Sequence, residues 1–168
     1  MPRRLSLRFL SRLRALVAVA LSLAFAGGAP AAPVPADAVG MQTSGAPRVN
    51  RGSQSEVTFV LKVAPGYAIL SNKLEEVGLQ AASITFRTVN NIAIGSARFP
   101  KARQFKVGEK RHPAYMGDLV VRIPLTVSPN TLPGLREIQG KLVYQVCNAT
   151  ECFDPVRKDL AFQLDIAP

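Results

Sequence analysis

The sequence contains few of the residues on which most enzyme active sites depend. Of its 168 residues, one is histidine, two are cysteine and none is tryptophan. A metal site built from several histidines is therefore excluded, and a Ser/His/Asp triad would have to use His112. This histidine lies in "GEKRHPAY", a basic segment with a proline, where we expect a solvated surface position. No glycine-rich phosphate loop follows a strand pattern.

Acidic residues are scarce as well, with 11 against 21 basic residues and a net charge of +10. The only adjacent carboxylates, Glu75 and Glu76, lie in a polar stretch that is typical of a solvated face. Much of the positive charge comes from five arginines of the amino terminus: Arg3, Arg4, Arg8, Arg12 and Arg14. Without residues 1–31, the net charge falls to +5. The remaining chain has no interleaved basic and aromatic residues, so nucleic acid is not an expected partner.

The amino terminus has the parts of a secretory signal peptide. Its arginines precede the apolar run "ALVAVALSLAFA", which the small residues of "GGAPAAP" follow. The apolar run has about a dozen residues, whereas a membrane-spanning helix needs roughly 20, so cleavage is favoured over a permanent anchor. We therefore predict a cleaved signal peptide over residues 1–31, export to the periplasm and no stable membrane insertion afterwards. The Arg3-Arg4 pair is weak evidence for twin-arginine export, because the whole region is rich in arginine.

Alternating apolar residues indicate β-strands in most of the remaining chain. In "SEVTFVLKVA", Val57, Phe59 and Leu61 alternate with residues of the other face, as in a half-buried strand. Similar patterns predict strands over residues 55–64, 83–89, 92–99, 118–127, 136–146 and 158–166. Pro124 argues for an edge or a bulge, and the only sign of helix is a short turn near residues 74–79. Short strands separated by Pro and Gly predict an all-β, antiparallel sandwich.

Composition suggests the domain boundaries. Residues 32–51 are rich in Ala, Pro, Gly and Ser and have little periodicity, which favours a flexible lead-in. We expect order to begin near Ser55 and a single domain to occupy residues 52–168. About 137 residues after the signal peptide are enough for one domain with its own core.

Both cysteines lie in "VYQVCNATECFDPV", at the end of a predicted strand. A bond between Cys147 and Cys152 would close a short loop, for which chain entropy gives about 2 kcal/mol of stabilisation. A bridge that served stability alone would do better between distant strands, and a surface loop leaves the bond within reach of another thiol. Redox exchange is therefore favoured, while a structural disulfide and metal binding stay open. Asn148 also begins a glycosylation sequon, "NAT", a match too short to carry weight.

The charges near the cysteines do not predict a strongly nucleophilic thiol. Glu151 is the only charged residue between them, Asp154 follows, and Arg157 and Lys158 offset these carboxylates only in part. No helix amino terminus or adjacent lysine is predicted that would favour a thiolate. The pair is therefore expected to be attacked by an activated thiol of a partner protein.

Four segments resemble the amino-terminal periplasmic domain of the thiol:disulfide interchange protein DsbD: "VAPGYAILSNK", "ARFP", "PAYMGDLVVRIPLTV" and "LVYQVCNATECFDPV". The last segment is the most specific, and the resemblance covers roughly residues 52–166. It implies an immunoglobulin-like β-sandwich that relays reducing equivalents through its cysteine pair. It also implies that Cys152 forms the mixed disulfide with partners, that Cys147 resolves it, and that an aromatic residue caps the pair. Phe105 is the first candidate for this cap, and Tyr115 is the second.

The resemblance further implies that no diffusible cofactor is used and that the partners are thioredoxin-like periplasmic proteins. Because the chain ends at Pro168, without the membrane-embedded and thioredoxin-like domains of the family, we expect electrons to arrive from a membrane donor encoded separately. We also expect the protein to be a monomer. Asp154-Pro155 stands where the family commonly has two prolines. Gln104 and Lys106 flank the first cap candidate where some members have acidic residues, which leaves the choice of partner open.

Two other classes of function stay open at this stage. A non-catalytic binding or assembly module would use the disulfide only to shape a loop. A copper(I) carrier would use the soft thiolates, with Met116 and His112 in a nearby segment, although Cys-x4-Cys is not the usual carrier spacing.

Overall fold

The structure, a computed structural model, describes residues 32–43 and 47–168. The predicted signal peptide lies outside the described residues, and its cleavage stays a prediction. The described residues contain no helix and form twelve strands. In chain order these strands are β1 (Val39–Thr43), β2 (Arg48–Asn50), β3 (Gln54–Val63), β4 (Ala68–Leu70), β5 (Ser83–Phe86), β6 (Ile92–Ile94), β7 (Arg103–Val107), β8 (Lys110–Tyr115), β9 (Asp118–Val127), β10 (Gly134–Tyr144), β11 (Val146–Cys147) and β12 (Val156–Ala167).

Two four-stranded sheets form the body of the domain. The first has the order β1-β3-β9-β6, and the second has the order β2-β12-β10-β5. Neighbouring strands are antiparallel in both sheets, except that β2 runs parallel to β12. The longest ladders join β3 to β9 and β10 to β12, and these pairs lie at the centres of their sheets. They supply the two broad faces that a core needs.

Apolar residues at alternate positions of the central strands fill the space between these sheets. Val57, Phe59 and Leu61 of β3 are at most 1% exposed. The ring of Phe59 meets that of Phe162, on the other sheet, in an edge-to-face contact with centroids 6.0 Å apart. Phe86 completes the cluster at 5.6 Å from Phe162. Because the inner faces of two sheets meet in this way, the predicted all-β, immunoglobulin-like antiparallel sandwich is confirmed.

A third sheet, in the order β11-β4-β8-β7, carries one of the cysteines. A single residue, Gln145, separates β11 from the central strand β10. Strand β4 follows the other central strand, β3, after a turn in which Gly66 has a φ of +86°. All three residues of β4 are buried. Since β11 and β4 both follow core strands closely, the third sheet is fixed to the body of the sandwich.

The strand predictions that rest on clear alternation agree closely with the structure. The prediction over residues 118–127 coincides with β9, and those over residues 55–64 and 158–166 differ from β3 and β12 by one or two residues at each end. The predicted strands over residues 83–89 and 92–99 are too long, because β5 ends at Phe86 and β6 ends at Ile94. The predicted helical turn contains no helix.

Several strands were not predicted. Both β1 and β2 lie within residues 32–51, so the expectation of a flexible lead-in with order from Ser55 is wrong for these segments. They are short and weakly patterned, and they owe their conformation to pairing with β3 and β12. Strands β4, β7 and β8 were also missed, the last because its proline and charges resemble those of a loop.

Pro124 does not mark an edge strand, because β9 lies between β3 and β6. Its carbonyl accepts a hydrogen bond from the N–H of Gly95 at 2.8 Å, just after β6 has ended at Ile94. The nitrogen of Pro124 therefore faces a stretch where the partner strand has left the ladder, so its missing N–H is tolerated. A Cβ at Gly95 would lie only 2.7 Å from Pro124 Cγ, so glycine allows the close approach.

Candidate functional site

Residues 146–153, here called the cysteine hairpin, bring the two cysteines face to face. Cys147 ends β11 and lies opposite Cys152 in an antiparallel bridge. Their sulfur atoms form a disulfide with an S–S distance of 1.99 Å and a Cα–Cα distance of 3.9 Å. The N–H of Phe153 donates to the carbonyl of Val146 at 2.8 Å, so the two arms are also paired outside the disulfide.

The turn of the cysteine hairpin is organised by one side chain. Asn148 Oδ1 accepts hydrogen bonds from the backbone N–H groups of Thr150 and Glu151, each at 2.8 Å. It also accepts one from the Thr150 hydroxyl at 2.8 Å. The N–H of Asn148 in turn donates to the carbonyl of Glu151 at 2.9 Å. Asn148 therefore closes the loop between the cysteines with its own side chain, as Asn commonly does in turns.

The two cysteines differ in their access to solvent. Cys147 is 0% exposed, and it pairs with Ala68 of β4. Cys152 is half-buried. The next residue, Phe153, is 5% exposed and packs with Tyr67 at a centroid distance of 6.1 Å. The arm of Cys152 is therefore anchored on the core by Phe153, while Cys152 itself faces the surface.

Gln145, which lies between β10 and β11, connects the cysteine hairpin to another part of the chain. Its side chain is buried, its Nε2 donates to the carbonyl of Phe153 at 2.8 Å, and its Oε1 accepts from the backbone N–H of Gln80 at 2.6 Å. Its own carbonyl accepts from the N–H of Leu70 at 3.0 Å. Sequence reasoning missed this residue, although a glutamine inside the apolar run "LVYQVC" is the kind of signal that indicates a buried polar contact.

The hairpin formed by β7 and β8 reaches the cysteine hairpin at its turn. The N–H of Gly108 donates to the carbonyl of Ala149 at 2.8 Å. Gly108 has a φ of +56°, a conformation that glycine adopts without strain. Phe105, the first candidate for the cap, lies on β7, is half-buried and pairs with His112 across the hairpin. Its action as a cap stays a prediction.

Tyr115, the second candidate for the cap, lies in the core. It is 5% exposed, and its ring stacks on that of Phe99 at a centroid distance of 5.9 Å. Its hydroxyl donates to Asn72 Oδ1. These contacts give a cap role for Tyr115 no support.

The prediction of a solvated His112 is wrong. His112 is 5% exposed, and its Nδ1 lies 2.9 Å from Glu76 Oε2. The cause is strand β8, which the sequence did not indicate and which turns this position inward. Glu76 was expected on a solvated face, but it contacts two residues of β8: its Oε2 lies near His112, and its Oε1 lies 3.5 Å from Lys110 Nζ.

Residues 71–82, here called the 71–82 loop, join these parts of the site. Gln80 of this loop is bonded to Gln145 beside the cysteine hairpin, and Glu76 is bonded to His112 on β8. The β7–β8 hairpin returns to the cysteine hairpin through Gly108. The three segments therefore form a closed ring of polar contacts around one end of the third sheet.

Within residues 32–43 and 47–168, no group of three or more His, Cys, Asp and Glu side chains is arranged to hold a metal ion. Burial raises the pKa of Tyr144 above its usual value of 10.0, because a phenolate would lose its hydration there. In the part of the chain that the structure describes, no helix is long and apolar enough to cross a membrane.

A family comparison agrees with this geometry. The sequence pattern of the family described as "Thiol:disulfide interchange protein DsbD, N-terminal" matches residues 36–164. The match covers more than half of the chain, and the chain belongs to this family. Membership supports thiol–disulfide exchange at the level of the family, and the predicted resemblance is confirmed. No curated protein is similar enough in sequence to count as a match.

Solved structures show the same fold. The N-terminal periplasmic domain of ScsB from Proteus mirabilis is 17% identical, with a TM-score of 0.51 over 77% of this chain and 47% of that one. The chain thus spans about half the length of that relative. The DsbD N-terminal domain of Neisseria meningitidis, solved in complex with the PilB N-terminal domain, is 17% identical, with a TM-score of 0.50 over 76% of this chain and 84% of that one. At this identity the likeness shows the fold alone.

Proposed function

We propose that this protein exchanges thiols and disulfides with other periplasmic proteins through Cys147 and Cys152. The observation that carries the proposal is the pairing of a half-buried cysteine with a fully buried one in a chain of the DsbD amino-terminal family. A disulfide that served stability alone would not need one member to be partly accessible to solvent. The difference in exposure between the two cysteines suits a pair in which the more accessible sulfur reacts with the partner and the buried sulfur completes the reaction.

The exchange is a two-step transfer of two electrons. In the reduced protein, the thiolate of Cys152 attacks one sulfur of the partner's disulfide, forms a mixed disulfide and releases a partner thiolate. The thiolate of Cys147 then attacks the Cys152 sulfur, which re-forms the internal disulfide and releases the second partner thiolate. The partner is reduced, and this protein is oxidised. A dithiol donor restores the reduced pair by the same two steps in reverse.

The surroundings of the pair support this assignment of roles. Cys147 is 0% exposed, so a partner's sulfur has no open path to it in the folded chain. Cys152 lies on the outer arm, which the turn at Asn148 and the anchor at Phe153 hold in a fixed position opposite Cys147. This arrangement keeps the resolving sulfur of Cys147 close to Cys152 when the mixed disulfide forms, which favours fast resolution.

We infer further that the partners are thioredoxin-like periplasmic proteins, and that a membrane-embedded donor supplies the electrons. The complex formed by the Neisseria meningitidis DsbD domain supports a protein partner rather than a small thiol. The amino-terminal sequence pattern supports export. Phe105 is proposed to shield the disulfide, because its hairpin touches the cysteine hairpin at Gly108.

A trapping experiment with single-cysteine variants tests the roles. The reduced Cys147→Ser variant is mixed with a purified, oxidised thioredoxin-like protein, and mixed disulfides are measured by non-reducing electrophoresis and mass spectrometry. We expect a stable adduct through Cys152. The matched Cys152→Ser variant should form at least tenfold less adduct, because its remaining thiol is buried. Equal trapping by both variants would contradict the roles, and no trapping by either would contradict the function.

The reduction potential of the pair tests the function independently of any partner. Thiol exchangers have potentials between about −270 and −120 mV, whereas structural disulfides of secreted proteins lie below about −300 mV. We expect a value in the first range after equilibration of the purified chain in glutathione buffers. A value in the second range would indicate a structural disulfide.

A further inference from the structure

Gln145 is a buried polar residue next to the cysteine hairpin. It takes no direct part in the proposed exchange. It is two residues before Cys147, and it bonds to the carbonyl of Phe153, the residue after Cys152. A single side chain therefore spans the two arms that carry the sulfurs. Its other bond, to the N–H of Gln80, fixes the side chain to the 71–82 loop.

We propose that Gln145 is a positioning residue that holds the Phe153 arm of the cysteine hairpin in place when the disulfide is reduced. The proposal rests on the proposed exchange function and adds a specific residue to it. In the oxidised protein three links hold the arms together: the disulfide, the backbone bond from the Phe153 N–H to the Val146 carbonyl, and the Gln145 bond. After reduction the covalent link is lost, and the bond from Gln145 Nε2 to the Phe153 carbonyl stays available to keep Cys152 opposite Cys147.

The contacts of Gln145 favour this role over simple filling of space. The glutamine is 5% exposed, and both ends of its side-chain amide are used, Nε2 as a donor and Oε1 as an acceptor. The bond to the Phe153 carbonyl is costly to break, because that carbonyl is buried and would lose its partner away from bulk water. The bond to the Gln80 N–H is part-buried. The side chain is thus held at both ends, which restricts the movement of the Phe153 arm.

Loss of the Gln145 bond is expected to lower the effective concentration of one thiol near the other in the reduced protein. A well-positioned pair re-forms its disulfide readily, so loss of the positioning bond should make the disulfide easier to reduce. A tenfold fall in effective concentration corresponds to a potential about 30 mV less negative. A residue that stabilised both redox states equally would leave the potential unchanged, because the potential reports only the difference between the states.

The test compares Gln145→Met, which has similar length and lacks both hydrogen bonds, with Gln139→Met on the exposed outer face of β10. We expect the equilibrium constant for reduction of the Gln145 variant by glutathione to rise about tenfold, and that of the Gln139 variant to stay within twofold of the parent chain. Urea unfolding of both redox states of the Gln145 variant should show a larger loss of stability in the oxidised state than in the reduced state. The unfolding equilibrium constant should rise about tenfold more in the oxidised state. Equal losses in the two states, with an unchanged potential, would overturn the proposal.

A second measurement needs no variant. Hydrogen exchange of the Gln145 side-chain amide and of the Gln80 N–H is followed by NMR in the oxidised and reduced parent protein. We expect both groups to stay protected after reduction, within about tenfold of the oxidised protein. Full loss of protection on reduction would show that Gln145 does not hold the arms and would overturn the proposal. Neither outcome depends on where the parent potential falls, so failure of the exchange function would be recognised separately.

Discussion

The body of the sandwich and its cysteine end are held together in different ways. In the body, the ladder between β10 and β12 pairs every residue from Gly134 to Tyr144, and apolar side chains interdigitate between the sheets. At the cysteine end, β11 has two residues and β4 has three, and the segments are joined by individual polar contacts. The body is therefore stabilised by many equivalent ladder and core contacts, whereas the cysteine end is stabilised by a few individual side chains.

Because of this difference, changes in the two regions should affect the free energy of unfolding and the reduction potential of the disulfide differently. Loss of apolar packing in the body should lower the free energy of unfolding to a similar extent in both redox states, and so leave the potential unchanged. Loss of a polar contact near the cysteines should lower stability less and move the potential more. The following predictions test this separation, in order of decreasing effect on stability.

The largest effect is expected for Phe59→Ala in the body. Phe59 is 0% exposed and contacts the rings of Phe86 and Phe162. Its truncation should lower the free energy of unfolding by about 3–5 kcal/mol, measured by urea denaturation. The exposed neighbour Lys62, changed to Ala, should stay within about 0.5 kcal/mol of the parent. A potential that shifted with Phe59→Ala would break the proposed separation.

A smaller effect on stability is expected for Asn148→Ala in the turn of the cysteine hairpin. The change removes the acceptor of three hydrogen bonds, from two backbone N–H groups and the Thr150 hydroxyl. We expect a loss of about 1–2 kcal/mol in the oxidised protein and a less negative potential. Asn148→Asp keeps an acceptor oxygen in the same place and should recover most of both quantities. Identical behaviour of the two variants would argue that the turn needs no acceptor there.

The contact between Glu76 of the 71–82 loop and His112 of the β7–β8 hairpin should contribute still less. Glu76→Ala removes the partner of His112, whose side chain is only 7% exposed, and we expect a loss of about 1 kcal/mol. Hydrogen exchange of the Gly108 N–H should accelerate, because the hairpin loses one of its contacts. The adjacent, exposed Glu75, changed to Ala, is the matched control and should leave both quantities unchanged.

The smallest effect is confined to alkaline pH. The pKa of Tyr144 is raised in the folded protein by burial, so the unfolded chain ionises first as the pH rises. The stability that depends on the neutral phenol is present below about pH 10 and is lost as the pH rises through the folded pKa. Tyr144→Phe should therefore lose less stability than the parent between about pH 8 and pH 11. Urea titrations at several pH values, with Tyr67→Phe as the control, measure this difference, and parallel pH profiles for all three proteins would refute it.

The body of the sandwich follows from local patterns in the amino-acid sequence. The strands β3, β9, β10 and β12 have regular alternation, and a period of two is a local property that survives in any packing arrangement. The cysteine segment is likewise continuous in sequence, which is why the family resemblance and the candidate pair Cys147 and Cys152 could be found without a structure.

The contacts that hold the site depend on long-range packing and could not be found in the sequence. Gln145 and Gln80 are 65 residues apart, and His112 meets a carboxylate of a distant loop. No local pattern connects such residues, because their contact depends on which strands become neighbours in the third sheet. Short strands such as β4 and β8 were equally hidden, since they carry too few residues for a period to show and take their conformation from their neighbours. The local sequence thus specifies the reactive pair, and long-range packing decides that one of its members is fully buried and the other half-buried.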